Sequence, residues 1–377
     1  MYLGVPAASP QTLPLPSMDY RTRQCRLLHS EEGSKCDVFL TSHLPNVRYL
    51  CGFTGSSAAL ALAPSGSVLF TDGRYTEQAR AEVVGARVAI VRKSALVAAA
   101  EWVRKLGRKR LVVGIEGDHL TVAARALLMR TLASRVRLRE TAGAVERLRQ
   151  VKEQEELTRI RAAARLGASL FDVALRKTRP GVTEVALAAE MEYAARRAGA
   201  EAMSFPTIVA VGPRTALPHA HPTAGKVPRN GFVLFDFGVI LAGYCSDMTR
   251  TVCVGRPTAE ARRVYQAVLE AQQAAIAAVR PGVAVGEVDR AARNVLRGAG
   301  LARYFTHSTG HGVGLEIHEA PRVAAGRQER LQPGMVITVE PGVYLAKRGG
   351  VRIEDMVVVT GSGCEVLTST NKELIVL

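Results

Sequence analysis

Four carboxylates in the second half of the chain form two pairs. Asp236 and Asp247 end neighbouring apolar runs, and Glu340 and Glu354 do so again further along the chain. A buried carboxylate is costly unless it is paired, protonated or bound to a metal. Four such groups converging on one pocket repel one another, so they cannot all ionise without cations. The pattern predicts a site for divalent metals, and its oxygen-rich chemistry suits Mn²⁺, Co²⁺ or Fe²⁺ better than structural zinc.

The alternative is that each acid pairs with an arginine, since Arg250 and Arg352 lie near them in the sequence. That explanation is as good as a metal for Asp236 alone, but weak for four acids. Histidines gather in two short segments, 217–222 and 307–318, and a purely structural role does not explain why both accompany the duplicated acids.

A repeat supplies the elements that must position these groups. The tetrapeptide Arg-Pro-Gly-Val stands at 179–182 and again at 280–283. Each copy follows a long predicted helix, 151–177 or 258–279, and leads into a second helix that ends in Ala-Gly. Two strand-like runs with acids follow each helix pair. The second half is therefore predicted to be two copies of a helix–helix–strand–strand unit.

The first half is predicted to be a separate, smaller α/β domain. Short apolar runs alternate with helix-like segments over 19–145, which favours a mixed or parallel sheet. Residues 1–18 are predicted to be a disordered or extended tail, and they lack the pattern of a signal peptide. The charged stretch 146–156 is predicted to open a long amphipathic helix that reaches Lys177, so the second domain covers 146–377.

Composition narrows the function classes. The 377 residues carry a formal charge of +16, but the arginines are spread along the chain and no nucleic-acid-binding motif occurs, so no specific nucleic-acid partner is predicted. No apolar run reaches the ~18 residues that span a bilayer. The six cysteines have no C-x-x-C spacing and are interpreted as free thiols of a cytoplasmic protein. Neither a G-x-S-x-G elbow nor a Walker loop is present.

Five motifs in order resemble those of the "pita-bread" metallopeptidases, the superfamily of methionine aminopeptidase, aminopeptidase P, prolidase and the metal-free creatinase. They are LFDFG (234–238), GYCSDMTRT (243–251), TGHGVGLEIHE (309–319), VEPG (339–342) and GVRIED (350–355). NVRYLCGFTGS (46–56) and TDGRY (71–75) resemble the creatinase-like N-terminal domain of the aminopeptidase P and prolidase branch. The resemblance implies a C-terminal pita-bread domain behind a creatinase-like α/β domain.

The resemblance also implies a ligand set for two divalent metals, with Mn²⁺ first and Co²⁺, Fe²⁺ or Zn²⁺ as alternatives. Asp236 would bind one metal through both oxygens. Asp247 and Glu354 would bridge the two metals, and His311 and Glu340 would bind the second. Because this set matches the peptidase pattern in full, it argues against creatinase and against non-catalytic relatives.

Further roles follow from the same resemblance. Glu340 would act as the base for a hydroxide that bridges the metals and attacks the scissile carbonyl. His219 and His318 would line the substrate site and stabilise the carbonyl or its tetrahedral intermediate. His307 and Arg352 would support the metal site. The segment 211–214 reads VGPR where the family often has Ser-Gly-x-Asn or Ser-Gly-x-Arg, which puts the local substrate contacts in question.

The expected function is that of an Xaa-Pro aminopeptidase, which removes the N-terminal residue from peptides with proline second. The alternative is prolidase, which cleaves only Xaa-Pro dipeptides and needs a group that binds the dipeptide carboxylate, for which Arg322 is the candidate. A binding module on an inactive peptidase fold is the third hypothesis. His221 is interpreted as a pocket-rim or structural residue. Relatives commonly form dimers or tetramers, so a homo-oligomer is expected.

Overall fold

The computed structural model describes residues 17–106, 110–132 and 134–377. These divide into two compact units, residues 17–149 and 150–377. Most of the predicted N-terminal tail, residues 1–16, lies outside the described ranges. Within those ranges, no helix has both the length and the apolarity that crossing a membrane requires.

The N-terminal unit is built on one six-stranded mixed sheet. Its strands are β1 Val38–Thr41, β2 Ala58–Ala63, β3 Gly66–Asp72, β4 Arg87–Val91, β5 Leu111–Glu116 and β6 Val136–Thr141. Its helices are α1 Tyr20–His29, α2 Leu44–Cys51, α3 Thr76–Glu82, α4 Ala95–Lys105, α5 Val122–Thr131 and α6 Ala144–Gln150. The strand order is β4-β3-β2-β1-β5-β6. Strands β1, β5 and β6 run parallel, so their carboxyl ends share one edge of the sheet.

Alternation along the strands explains how this sheet is covered. Val38 and Leu40 share a buried cluster with Ala99 and Val103 of α4, whereas Phe39 is fully buried outside that cluster. Successive side chains of a strand point to opposite faces, so β1 is buried on both faces. This explains why the apolar run of β1 is continuous.

The C-terminal unit contains the predicted duplication. Its helices are α7 Gln154–Lys177, α8 Glu184–Arg197, α9 Ala259–Ala278 and α10 Val285–Gly298. The first copy has strands β7 Ala202–Met203, β8 Ile208–Val211, β9 Gly231–Phe237, β10 Val239–Leu241, β11 Tyr244–Cys245 and β12 Met248–Val254. The second has β13 Gly310–Gly312, β14 Glu319–Val323, β15 Val336–Val339, β16 Gly342–Leu345, β17 Gly349–Arg352, β18 Asp355–Val359 and β19 Cys364–Val366.

Corresponding strands pair in the same way in both copies. The antiparallel pair β9–β12 lies in a sheet of order β12-β9-β8, and the antiparallel pair β15–β18 lies in a sheet of order β14-β13-β15-β18-β19. The turns also correspond, since Gly181 donates its N–H to the carbonyl of Val227 and Gly282 donates to that of Leu331. Both glycines have positive φ, +91° and +81°, a conformation that L-residues rarely adopt. The mixed α/β fold with a duplicated C-terminal unit is as predicted.

The predicted single helix from the charged stretch 146–156 to Lys177 is wrong. The structure ends α6 at Gln150 and begins α7 at Gln154. Between them, the N–H of Lys152 donates to the carbonyl of Gly334, a contact with a distant segment that the local sequence does not predict. Glu153 then caps α7, because its side chain accepts from the N3 backbone N–H and the side chain of Glu156 accepts from the N–H of Glu153.

Candidate metal centre

The four paired acids lie on corresponding elements of the two copies, and His311 lies in β13. Asp236 lies within β9, and Glu340 follows the last residue of β15. Asp247 and Glu354 each lie in a two-residue break, the first between β11 and β12 and the second between β17 and β18. The sequence placed these two acids on strands, whereas the structure places them at the same kind of strand junction in each copy. At such a junction the side chain does not have to follow the alternating directions of a regular strand, so the carboxylate can point toward the other acids.

Ligand atoms of Asp247, His311 and Glu354 lie within 4.8 Å of one another, close enough for one metal ion. Nε2 of His311 is 3.6 Å from Oδ2 of Asp247 and 3.5 Å from Oε1 of Glu340. On its other side, Nδ1 of His311 is 3.0 Å from the carbonyl of Gly312. Since that carbonyl can only accept, Nδ1 carries the proton and Nε2 presents a lone pair to two carboxylates. The imidazole nitrogen and the two carboxylates are all electron-pair donors, so a cation between them would make this arrangement favourable.

The ionisation of these groups agrees with that requirement. Burial raises the pKa of Asp247 well above its usual range, and the carboxylates of Glu354 and Asp236 raise it further. Burial likewise raises the pKa of Glu340 to about 8, although Arg352 opposes the shift. Burial also lowers the pKa of His311 to about 4 and keeps the imidazole neutral. The site as built has too much negative charge for its surroundings, and divalent cations would relieve it.

Two buried oxygens show more directly that the site suits cations. Oδ1 of Asp236 and Oδ1 of Asp247 have no hydrogen-bond partner within the part of the chain that the structure describes. Buried carboxylate oxygens are almost always satisfied, since leaving one unpaired costs on the order of 1–3 kcal/mol. The donor set therefore fits divalent metals: five side chains that supply carboxylate oxygens and one imidazole nitrogen.

Arg352 and Tyr344 form a polar bridge behind the acids. Nη2 of Arg352 donates to Oδ2 of Asp236 over 2.6 Å, and Nη1 donates to the hydroxyl of Tyr344 over 2.8 Å. Nδ1 of His307 donates to the carbonyl of Ser308, so Nε2 accepts from the Tyr344 hydroxyl, at 2.8 Å. Burial lowers the pKa of His307 to about 4, which keeps Nε2 an acceptor. His307 and Arg352, which the sequence predicts to support the metal site, both contact the Tyr344 hydroxyl, and their supporting role stays a prediction.

Sequence reasoning missed Tyr344 and two threonines of this surrounding layer. Thr249 donates to Oε2 of Glu354 over 2.7 Å, and the hydroxyl of Thr338 lies 3.3 Å from Oε1 of Glu340. Both threonines are fully buried and lie within two positions of a predicted ligand, and that closeness in the sequence was the one available signal.

Of the predicted histidines, His318 contacts a metal-ligand candidate and His219 lies near His318, whereas His221 does not contact the acids among the described residues. The rings of His311 and His318 meet edge to face with centroids 4.4 Å apart. Desolvation lowers the pKa of His318 and the charge of His219 contributes in the same direction, so these two imidazoles lie near each other. His221 is exposed, and its carbonyl accepts a hydrogen bond from Arg214 over 2.8 Å. No described contact joins the His221 side chain to the acids.

Arg322 pairs through its backbone strand with one of the predicted ligands. It is the strand partner of His311 in the antiparallel pair β13–β14, and it is exposed. Directly opposite residues of an antiparallel pair project to the same face of a sheet. Arg322 therefore shares a face of the sheet with His311, and the register of the pair shifts directly after His311.

Comparison with known proteins decides the family. Residues 158–361 match metallopeptidase family M24, and residues 21–151 match the creatinase/prolidase N-terminal domain. The chain belongs to metallopeptidase family M24. This M24 peptidase is 39% identical to the Uncharacterized peptidase YqhT of Bacillus subtilis over 341 residues, 90% of this chain and 96% of that protein. The expected membership of the pita-bread family and the expected metallopeptidase class are confirmed.

Solved structures of M24 peptidases extend the likeness over both units. An Xaa-Pro dipeptidase from Bacillus anthracis matches with a TM-score of 0.91 and 37% identity, over 95% of this chain and all of that chain. An X-Pro aminopeptidase from Thermotoga maritima matches with a TM-score of 0.87 and 33% identity, over 94% of this chain and all of that chain. Members with both specificities thus share the fold of this M24 peptidase.

Proposed function

We propose that this peptidase hydrolyses the Xaa-Pro bond at the centre formed by Asp236, Asp247, His311, Glu340 and Glu354. The observation that carries the proposal is the lone pair of His311 Nε2, which faces two carboxylates at 3.5–3.6 Å. These five side chains would hold two divalent metals, for which Mn²⁺ is our first choice. When bound, two such ions supply Lewis acidity toward the scissile carbonyl and a nucleophilic water at neutral pH.

Glu340 has the properties of a proton carrier. A general base must lie within reach of the water that it deprotonates, and Glu340 belongs to the same group of side chains that would hold the metals. Its carboxylate is oriented by Thr338, so its position is fixed before substrate arrives. We assign Glu340 to accept the proton of the attacking water and to deliver it to the leaving proline nitrogen.

His219 and His318 would act on the substrate carbonyl. Both are exposed at the same site, and the ring of His318 contacts that of His311. A donor aimed at the developing oxyanion is worth about 3–4 kcal/mol. Arg352 has a different role, because it is buried and donates to Asp236 and Tyr344, so it would fix the metal-binding carboxylate without touching substrate.

The position of Arg322 leads us to favour Xaa-Pro dipeptides over longer peptides. A free dipeptide carries a carboxylate one residue after the scissile bond, and a guanidinium binds carboxylates with two parallel hydrogen bonds. Arg322, exposed opposite His311, is suited to that contact. The similarity to the Bacillus anthracis Xaa-Pro dipeptidase supports this choice. Xaa-Pro aminopeptidase, expected from the sequence, is the second candidate, supported by the likeness to the Thermotoga maritima X-Pro aminopeptidase.

A pair of substrates that differ only in one charge tests the proposal. With added Mn²⁺, we expect kcat/KM for Ala-Pro to exceed that for the amide Ala-Pro-NH₂. In Arg322→Gln this preference should shrink at least tenfold, mainly through a higher KM for Ala-Pro. Arg327→Gln, an exposed arginine in the loop after β14, is the matched control and should retain the preference. Faster cleavage of Ala-Pro-Ala than of Ala-Pro would favour the aminopeptidase, and no cleavage of any Xaa-Pro bond would refute the proposal.

A further inference from the structure

A second group of metal-ligating side chains lies in the N-terminal unit, within residues 17–149. One ligand atom each from His43, His119 and Glu146 lies within 4.8 Å of the other two. The imidazoles of His43 and His119 stack with centroids 3.6 Å apart and an interplanar angle of 5°. Nε2 of His119 is 2.8 Å from Oε1 of Glu146. None of the three residues belongs to the M24 centre described above.

The fold explains why these three side chains meet. His43 follows β1, His119 follows β5, and Glu146 lies in α6 after β6. These three strands are adjacent and parallel, so their carboxyl ends open onto one edge of the sheet. In open α/β sheets this is the edge at which ligands bind. The three side chains are only partly buried, so an ion could reach them from solvent.

The Glu146 carboxylate is held in place by a buried amide. Nδ2 of Asn46 donates to Oε1 of Glu146, and Oδ1 of Asn46 accepts from Arg149 over 2.7 Å. Asn46 also donates to Oε1 of Glu116, at 2.7 Å, so three neighbours fix it. Burial acts to raise the pKa of Glu146, but the hydrogen bonds from Asn46 and His119 outweigh it and keep the carboxylate ionised. Outer groups of this kind orient the ligands of metal sites.

The two histidines are also set by the backbone. The N–H groups of Ser42 and His43 donate to Oε2 of Glu116 over 3.0 and 3.1 Å, which ties the turn after β1 to the end of β5. His43 is the N-cap residue of α2, yet its side chain makes no capping hydrogen bond. Its imidazole is therefore directed to the stack with His119 rather than to the helix.

We propose that His43, His119 and Glu146 form a second metal site, for a divalent transition metal such as Zn²⁺, with a fourth position open to solvent. Two imidazoles and one carboxylate are a donor set that zinc accepts, and three-ligand zinc sites keep the fourth position free. Metal–ligand distances of about 2.0–2.1 Å separate tetrahedral ligand atoms by ~3.3 Å, so the three ligand atoms would have to approach one another, and the stacked imidazole rings would have to turn until both lone pairs meet at the ion. Binding would displace the His119 proton that Glu146 now accepts.

The experiment uses the full chain in an Asp247→Asn background, which weakens the M24 centre, and Zn²⁺ alone as the probe. Zn²⁺ affinity and stoichiometry are measured by competition with a chromophoric chelator. In this background, His119→Gln or His43→Gln should remove one equivalent of bound Zn²⁺ or weaken its binding at least tenfold. His29→Gln should leave the Zn²⁺ stoichiometry and affinity of the background protein unchanged. His29 is the matched control because it lies in the same unit on α1, outside the group.

Equal stoichiometry and affinity in all four proteins would overturn the proposal and would show that the His119–Glu146 contact is only a structural hydrogen bond. Glu146→Gln guards against a folding defect, because the Gln oxygen still accepts from Asn46 while the ligand charge is lost. It should weaken Zn²⁺ binding with an unchanged far-UV circular dichroism spectrum. Since the readout is the difference between matched variants, the outcome does not depend on whether the M24 centre cleaves Xaa-Pro bonds.

Discussion

Arg352 donates from Nη2 to Oδ2 of Asp236 over 2.6 Å, and Oδ1 of the same carboxylate has no hydrogen-bond partner among the described residues. One oxygen thus accepts from a buried guanidinium and the other is available to a cation, and binding of one metal through both oxygens stays a prediction. Arg352 also counteracts the rise in the pKa of Glu340 and of Glu354. A single arginine therefore both orients one carboxylate and keeps others closer to ionisation.

Arg352→Met should weaken metal binding. The loss of the guanidinium frees the Asp236 side chain and raises the pKa of the neighbouring carboxylates, so metal must compete with protons. Removal of an outer group of this kind typically lowers affinity by about 10–100-fold. We expect that loss in a Mn²⁺ titration of the metal-free protein, with a parallel fall in activity at low Mn²⁺. Arg348→Met, which removes an exposed arginine paired with Glu260, should leave the titration unchanged.

Asp247→Asn should abolish both metal retention and peptide hydrolysis. Asp247 is one of three residues whose ligand atoms lie within 4.8 Å, and its Oδ1 is unpaired and buried among the described residues. Asparagine keeps the shape but offers one neutral oxygen. Metal content after gel filtration and hydrolysis of Ala-Pro check this, with Asp172→Asn, an exposed acid of α7, as the control. Retained hydrolysis in Asp247→Asn would exclude this centre as the site of reaction.

The convergence of the acids could be predicted because its signals are local. The two copies of Arg-Pro-Gly-Val and the apolar runs that end in Asp236 and Glu340 are readable in the sequence. Both predict where helices and strands begin, and β9 and β15 contain or directly precede these acids. The repeat then implies that the two acid pairs face each other. The metal-ligand roles themselves remain a prediction.

The surrounding layer could not be predicted, because its signals are contacts between distant segments. Tyr344 belongs to this layer because its hydroxyl contacts His307 and Arg352, and no neighbouring residue in the sequence indicates that role. The break before α7 arises because Lys152 pairs with Gly334. Strand β6 has no apolar run to mark it in the sequence, because it lies at the edge of its sheet and alternates charged and apolar residues.

Thiol labelling should separate Cys25 from Cys51 across pH. Burial raises the pKa of Cys51 to about 12, well above the ~8.5 of a free thiol, and its Sγ donates to the carbonyl of Val47. Since the thiolate is the reactive form, Cys51 should not react with iodoacetamide at pH 8–9 in the folded protein. Cys25 is exposed and should label first. Mass spectrometry of tryptic peptides, with urea-unfolded protein as the control, checks the order; equal rates would contradict the buried position of Cys51.

The ion pair between Lys152 and Glu319 should behave as a buried pair. Their side chains are 3.0 Å apart and only 1% and 6% exposed. Lys152→Met removes the cation of this pair, and breaking one side of a buried pair costs about 3–5 kcal/mol. Adding Glu319→Gln removes the buried negative charge, while the Gln oxygen can still accept from the N–H of Glu316. The double variant should therefore regain stability relative to Lys152→Met.

Urea unfolding followed by circular dichroism measures this cycle. Lys177→Met is the matched control, because Lys177 pairs with Glu190 at 3.1 Å but both side chains are nearly half exposed. An exposed pair contributes about 0–1 kcal/mol, so this variant should unfold near the wild-type midpoint. Since Glu319 is adjacent to His318, Lys152→Met should also lower kcat by displacing that imidazole. If the double variant is no more stable than Lys152→Met, the loss of stability comes from the lost packing of the lysine stem and not from the buried negative charge of Glu319.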